Sequence, residues 1–458
     1  MEARSLEYVC RACEGELISG SARTEVLRVS TDSRHVGQGD LFFAIRGDKF
    51  DGHDFLPEVV GKGAKAVVVE KARAKELGAG VIAVEDTRRA LGQLGARYRQ
   101  DFSLPIVAVA GSNGKTTTKE LIAAVLRDQI PVVWSEASFN NDIGVPLTLF
   151  NIESKHRAAV IEVGTNHPGE LPALVRLLQP NIGVITSIGR EHMEHFGSME
   201  GVVREEGWLA ELLPQAGVLF LNGDSEWTPT IAGRARARTV RVGTGPHNEW
   251  RGQFQGMDIT GVRFGVSSPR GDFNGDYQVG LPGRHQITNA TFALAIAAEL
   301  GVSAEAARRG LVSAKPPKMR MQSWEVRGVR VLDDAYNANA DSMLAALQTL
   351  ADLPCAGRRV AVLGDMAELG DHASGAHEEV GRRAGQLKID MLISVGKFAS
   401  CTAESAAAAG VRDVLTFLDV PAAAGAVPSL LKAGDLVLLK ASRTAGLERV
   451  GEALRRSS

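Results

Sequence analysis

Val107-Ala108-Val109-Ala110-Gly111-Ser112-Asn113-Gly114-Lys115-Thr116-Thr117-Thr118 is the stretch on which the reading of this chain turns. Small and β-branched apolar residues predict a buried strand up to Ala110, and a helix is expected to run on to about Leu126. The turn between them holds Gly111 and Gly114, which let the backbone approach a ligand closely. Such a loop aims several N–H groups at a phosphate, and the helix N-terminus adds favourable partial charge. Lys115 is then placed to neutralise β- and γ-phosphates, and the Thr116 hydroxyl to bind Mg²⁺. Val109 stands where the first glycine of the ordinary phosphate-loop pattern would be, so the loop is a short variant. Gly111, Ser112, Asn113, Gly114, Lys115, Thr116 and Thr117 are the expected ATP-binding loop.

Downstream, apolar runs over residues 158–163, 182–188 and 218–221 alternate with helical patterns, as in a parallel sheet built from βαβ units. Residues 239–279 break that rhythm. Their alternating polarity and Asn274-Gly275 predict inserted antiparallel hairpins. An alanine-rich helix is expected over 286–300, and Pro316-Pro317 marks a linker. Beyond it, strands over 329–332, 360–363, 392–395 and 436–439 alternate with helices, predicting a second doubly wound sheet. Upstream, short strands at 41–45, 66–70 and 81–84 precede a helix over 87–100 that repeats Leu91, Leu94 and Tyr98. The turn-rich pieces 32–40 and 46–54 read as binding loops. The expected architecture is α/β in three domains: a small mixed α/β domain (1–103), a central P-loop parallel-sheet domain with an antiparallel insertion (104–316), and a Rossmann-like domain (317–458). A length of 458 residues fits about three domains.

Composition excludes several classes. The chain is 44% hydrophobic and 23% charged with a net charge of −2, which predicts neither long disorder nor a field that gathers nucleic acid or anionic lipid. No segment reads as a secretory signal or membrane span, so a cytoplasmic protein is expected. Cys10 and Cys13 form a C-x-x-C without a second metal-binding pair, and their spacing suits two sides of one helix. Arg234, Arg236 and Arg238 read as the solvent face of a strand or turn.

Further segments, in order, carry a resemblance. Gly111-Ser-Asn-Gly-Lys-Thr-Thr117 resembles the short P-loop of the Mur ligases and folylpolyglutamate synthetases. Ser138-Phe-Asn140-Asn141-Asp-Ile-Gly144-Val-Pro146-Leu-Thr148, Ile161-Glu162-Val-Gly164, Glu191-His192-Met-Glu-His195-Phe-Gly197 and Leu281-Pro-Gly283-Arg-His285-Gln-Ile-Thr-Asn289-Ala are similar to the Mur ligase segments that follow that loop. Asp333-Asp334-Ala335-Tyr336-Asn337-Ala338-Asn339-Ala340-Asp341-Ser342-Met343 resembles the branch of the family that adds D-alanyl-D-alanine. Thr31-Asp32-Ser33-Arg34, Gly39-Asp40-Leu-Phe-Phe-Ala44 and Gly47-Asp-Lys-Phe-Asp51-Gly-His53 resemble its UDP-sugar-binding domain.

The resemblance implies an ATP- and Mg²⁺-dependent ligase that adds D-alanyl-D-alanine to UDP-N-acetylmuramoyl-tripeptide through an acyl phosphate, acting as a monomer. It assigns catalytic parts to Lys115, Glu162, His192, Glu206 and Arg320, and Mg²⁺ to Thr116, Glu162, His192 and Glu206. His195 competes with His192 for the imidazole position. Asn289, Arg320 and Asp334 are expected on ATP; Ser33, Arg34, Asn140, Asn141, Tyr336, Asn337 and Asn339 on the other substrates. Glu206 departs from the pattern, standing where the family has a carbamylated lysine; a glutamate already carries the carboxylate that carbamylation creates. Ala335, Ala340, Ala441 and Gln286 are small further departures. Two other readings stay open: the tripeptide-forming sister ligase, and a nucleotide-binding protein without ligase activity.

Overall fold

The structure is a computed structural model describing residues 1–47 and 49–456; Asp48, within one of the motifs above, lies outside them. Among the described residues the chain forms three separate sheets of four or more strands, one after another along the sequence. The first has five strands in the order Glu16–Ser19, Gly80–Val84, Ala66–Glu70, Asp40–Phe43, Arg28–Ser30. All neighbours run parallel except the edge strand Glu16–Ser19. The helices Leu6–Cys13 and Thr87–Arg99 pack together beside it. Cys13 is buried and its Sγ donates to the Ala90 carbonyl at 3.4 Å, while Cys10 is half-buried. The C-x-x-C is therefore helix packing.

The helix Thr87–Arg99 starts where the Asp86 side chain accepts the Arg89 N–H, satisfying one of the donors a helix start leaves orphaned. It buries Ala90, Leu91, Leu94 and Tyr98, an i, i+3/i+4 stripe. That stripe meets the central helix Gly144–Leu149, with Gly95 so close that an added Cβ would stand 3.0 Å from Pro146. One apolar core consequently runs without interruption from Leu6 to Ala237.

The central sheet has nine strands, in the order Gly275–Val279, Gly261–Ser267, Trp250–Asp258, Arg238–Gly243, Val218–Asn222, Ile182–Ile185, Ile106–Ala110, Ala158–Glu162, Val132–Trp134. The expected antiparallel hairpins are present over Trp250–Val279, where Gly261–Ser267 pairs antiparallel with both Trp250–Asp258 and Gly275–Val279. They start later than expected: Arg238–Gly243 runs parallel to Val218–Asn222, and Trp250–Asp258 runs parallel to Arg238–Gly243. Alternating polarity reports a half-buried strand, not its direction. Asn274-Gly275 is likewise no two-residue turn: it ends a longer connection, in which Asn274 Oδ1 accepts the Ser268 N–H at 2.7 Å.

The third sheet has six strands, in the order Gln322–Val326, Val329–Asp334, Leu436–Lys440, Arg359–Gly364, Met391–Val395, Asp413–Phe417, parallel except at the first edge. The four expected strands are present. The two edge strands went unpredicted, because neither carries a fully buried residue to mark it. Approaching this sheet after Pro316-Pro317, the chain takes left-handed φ at Met319 (+55°) and Met321 (+51°). Such conformations cost side-chain-bearing residues about 1–3 kcal/mol each.

Candidate active site

A cleft of about 1470 Å³ opens where the carboxyl ends of the central and third sheets meet, the usual position for ligands in open α/β sheets. The buried strand Ile106–Ala110 leads into Gly111 (φ +113°) and Gly114 (φ +83°). An added Cβ on Gly111 would lie 2.5 Å from Thr186 Oγ1, so the next strand's loop requires glycine there. That loop also holds the turn in shape: the Ser112 N–H donates to the Ser187 carbonyl and the Asn113 N–H to Ser187 Oγ, both at 2.8 Å. No side chain caps the helix Lys115–Leu126 that follows, leaving its N-terminal dipole for a ligand.

Lys115 Nζ donates back to the Gly111 carbonyl and lies 3.2 Å from Glu191 Oε2. Burial alone would lower its pKa, but the negative charges of Glu191, Glu206 and Glu162 together hold the ammonium above its ordinary value. Glu162 ends its strand 1% exposed, with Oε1 accepting from Asn140 Nδ2 at 2.8 Å and Oε2 without a partner. Glu191 is 4% exposed and hydrogen-bonds the neighbouring Glu206 carboxyl. Buried oxygens left unsatisfied are costly. The Glu162 and Glu191 carboxylates and the Thr116 hydroxyl, beside the Lys115 ammonium, are a donor set suited to a hard cation such as Mg²⁺. Among the described residues no three His, Cys, Asp or Glu side chains are preassembled around one point, so phosphate oxygens would complete the coordination.

Lys115, Thr116, Glu162, His192, Asn140 and Asn141 all line the cleft with Ser112, Asn113, Gly114 and Thr117. Asn289, on the helix His285–Glu299, lies against the P-loop, and from the other side come Arg320, Asp334, Tyr336, Asn337 and Asn339. Arg320 lies 4.1 Å over the Tyr336 ring, Asp334 pairs with Lys440 at 2.5 Å, and Asn289 Oδ1 accepts from Thr118. The Asn141 side chain accepts the Gly144 N–H at 2.8 Å, anchoring the start of a helix. Asn339 caps the helix Ala340–Asp352 and also donates to Asn113 Oδ1 of the P-loop at 3.0 Å. His192 bonds Glu368 of the third sheet through Nδ1, which holds the Glu368 carboxyl below its usual range. His195 instead packs against His167, ring centroids 4.2 Å apart and tilted by 36°.

Some residues lie elsewhere. Glu206 does not line the cleft: its Oε2 accepts the Gly111 N–H at 2.8 Å from behind the P-loop. Burial, and then the charge of Glu191, push its carboxyl well above the ordinary range. Ser33 and Arg34 occupy an exposed turn away from the cleft, where Arg34 pairs with Asp32 at 2.6 Å.

Glu191, Arg190 and Lys119 were not anticipated. Arg190 reaches Asp341 at 2.6 Å and Glu379 at 2.5 Å across the cleft. Lys119 is fully buried and donates to the carbonyls of Ser135 (2.7 Å) and Ala137 (2.9 Å), tying the P-loop helix to the loop that carries Asn140. Nothing local distinguishes Glu191 from a solvated loop carboxylate.

Three family models match: one described as Mur ligase family, catalytic domain, over residues 25–99; Mur ligase middle domain, over 109–297; and Mur ligase, glutamate ligase domain, over 319–443. The chain is 35% identical over 455 residues to the UDP-N-acetylmuramoyl-tripeptide--D-alanyl-D-alanine ligase of Bacillus subtilis, covering 98% of both chains. It superposes on a crystal structure of MurF from Acinetobacter baumannii with a TM-score of 0.91 at 31% identity, covering 100% of this chain and 99% of that one. MurF ligase from Thermotoga maritima in complex with ADP gives 0.81 at 26% identity, with 94% and 97% covered.

Proposed function

The chain belongs to the Mur ligase family, and we propose that within it this is the ATP-dependent ligase joining D-alanyl-D-alanine to UDP-N-acetylmuramoyl-tripeptide. The product is the UDP-linked pentapeptide, with ADP and phosphate. It works as a monomer in the cytoplasm. Among the described residues no helix is long and apolar enough to cross a membrane.

A carboxylate is a poor electrophile in water. An oxygen of the tripeptide's terminal carboxylate attacks the γ-phosphorus, the bond to the β-phosphate oxygen breaks, and ADP leaves. The amine nitrogen of the dipeptide then attacks the acyl-phosphate carbon. Phosphate departs with the electron pair of the C–O bond, and the nitrogen loses a proton. Catalysis by this chain is positioning and charge neutralisation. The N–H groups of Gly111–Thr117 and the Lys115 ammonium take the phosphates, and Asn289 lies toward the base. Thr116, Glu162 and His192 would hold Mg²⁺, which when bound offsets negative charge on the phosphates; Glu206 supports the loop from behind. Arg320 and Asp334 approach the nucleotide from the third domain. Tyr336, Asn337, Asn339, Asn140 and Asn141 surround the reacting carboxylate and amine. Ser33 and Arg34 receive the UDP-sugar end of a substrate long enough to reach from that turn to the cleft. The domains follow as 1–103, 104–316 and 317–458.

One observation carries the reading: Lys115 and Glu162, whose Oε2 is buried without a partner, stand in one cleft with the Asp334–Asn339 segment that follows a strand of the third sheet. Mass spectrometry of the nucleotide product tests it. With ATP and D-alanyl-D-alanine, the UDP-tripeptide should gain one dipeptide less water. A chain that instead extends the UDP-dipeptide by a diamino acid is the sister ligase, and one that extends neither is no ligase of this kind.

A further inference from the structure

Glu191 stands beside the cleft lysine, on the wall formed by the loop after a central strand. It follows the strand Ile182–Ile185, lines the cleft, and is 4% exposed. One oxygen lies 3.2 Å from Lys115 Nζ, and the buried carboxyl is also hydrogen-bonded to that of Glu206, which burial and the Glu191 charge favour in its protonated form. Glu206 is equally buried, but it lies off the cleft wall and gives an oxygen to the Gly111 N–H. Lys115 meanwhile points back to its own loop's carbonyl rather than outward. Without nucleotide, then, Glu191 is the lysine's counter-ion in a site where water is scarce. Phosphates arriving at Lys115 supersede that ion pair, and a carboxylate left beside phosphate is repelled unless a cation stands between them.

We propose that Glu191 is the carboxylate on this wall that turns to the nucleotide-bound divalent cation, with Glu206 as the positioning residue that holds the P-loop behind it. The inference rests on the nucleotide–Mg²⁺ reading of the cleft. It has a two-signed consequence. Removing the Glu191 charge weakens the tightening that Mg²⁺ gives to nucleotide binding. It does not weaken metal-free binding, because a competitor for Lys115 and a source of repulsion are gone.

Calorimetric titration of the full chain with the β,γ-methylene analogue of ATP, with and without Mg²⁺, measures both signs. For Glu191→Gln the Mg²⁺-induced gain in affinity should fall at least about fivefold, while metal-free affinity holds or rises. Glu206→Gln should lose less of that gain than Glu191→Gln. General damage to the site would weaken both arms of the titration instead and overturns the assignment. Should Glu191→Gln not fold, Glu191→Asp keeps the charge on a shorter stem and should show a smaller loss in the same arm. Native-like coupling in the Glu191 variant, or a larger loss in Glu206→Gln, overturns the proposal alone. A native chain whose analogue binding does not respond to Mg²⁺ overturns the cleft reading, and the inference with it.

Discussion

The first and third sheets are joined to the central one by opposite chemistry. Toward the first sheet, the helix Thr87–Arg99 and its neighbours share one apolar core with the central domain. Leu91 and Leu94 are completely buried, Tyr98 packs edge-on to Phe150 at 5.8 Å, and its hydroxyl donates to the Ile152 carbonyl at 2.7 Å. Toward the third sheet the contacts are mostly polar: Arg190 with Asp341 and Glu379, His192 with Glu368, Asn339 with Asn113, Ser138 with Tyr336, and Arg284 with Asp352. Met257 and Ile259 supply apolar contact there. Close-packed cores deform little, whereas half-exposed ion pairs contribute about 0–1 kcal/mol each. The first join is therefore a fixed support for a long substrate. The second is one that can open and re-form, with Pro316-Pro317 and the left-handed Met319 and Met321 at its hinge.

Cutting into the apolar join should have the largest effect on stability. Leu94→Ala removes a fully buried side chain and should cost about 2–5 kcal/mol. The first and central domains should lose stability together, as one shift of the denaturant midpoint. Separate transitions for the two would contradict a shared core. Tyr98→Phe keeps the ring but strands the Ile152 carbonyl and the Glu2 N–H, which donates to the hydroxyl at 2.8 Å; about 1–3 kcal/mol is expected.

At the polar join, Arg190→Ala should change the unfolding free energy by only about 0–1 kcal/mol, but small-angle scattering should show a more extended molecule. Saturation with an ATP analogue and UDP-tripeptide should recompact it. An unchanged scattering profile would show that Arg190 does not hold the domains together. Acid acts on this join as well. Burial pushes the His285 imidazole down to about 4, with Asp334 and Lys440 of the third domain also acting on it. In the unfolded chain it titrates near about 6.5. The unfolded state thus binds more protons below that value, and stability is lost as pH falls from about 6.5 through 4. His285→Gln should flatten that part of the pH–stability curve; an unchanged slope would assign it to other groups.

How much was legible in the sequence follows the same division. Buried parallel strands are continuous apolar runs, and a phosphate loop needs glycines and a lysine at fixed offsets, so the P-loop and both doubly wound sheets could be read directly. Strand direction past Arg238 could not, because alternation is the same for either direction. The residues gathered around the cleft were found through order and spacing, yet their partners were not. Nothing in a linear string shows that Glu206 lies behind Gly111 rather than in front, or that Glu191 meets Lys115 from another strand's loop. Asn141 turned out to anchor a helix, a role that asparagine fills as readily as a substrate contact. Ser33 and Arg34 lie apart from the cleft, although the helix Thr87–Arg99 of the same domain lines it through Arg88, Gly92 and Gln93.

The central claim is that charge neutralisation at the P-loop drives ligation, and the rate of phosphate release by native and Lys115→Ala protein tests it most directly. With ATP present, the native chain should release phosphate only when both UDP-tripeptide and D-alanyl-D-alanine are supplied. Lys115→Ala should be slower by about 100- to 1000-fold, with an unfolding midpoint close to native. Undiminished phosphate release from a folded Lys115→Ala protein would contradict the account.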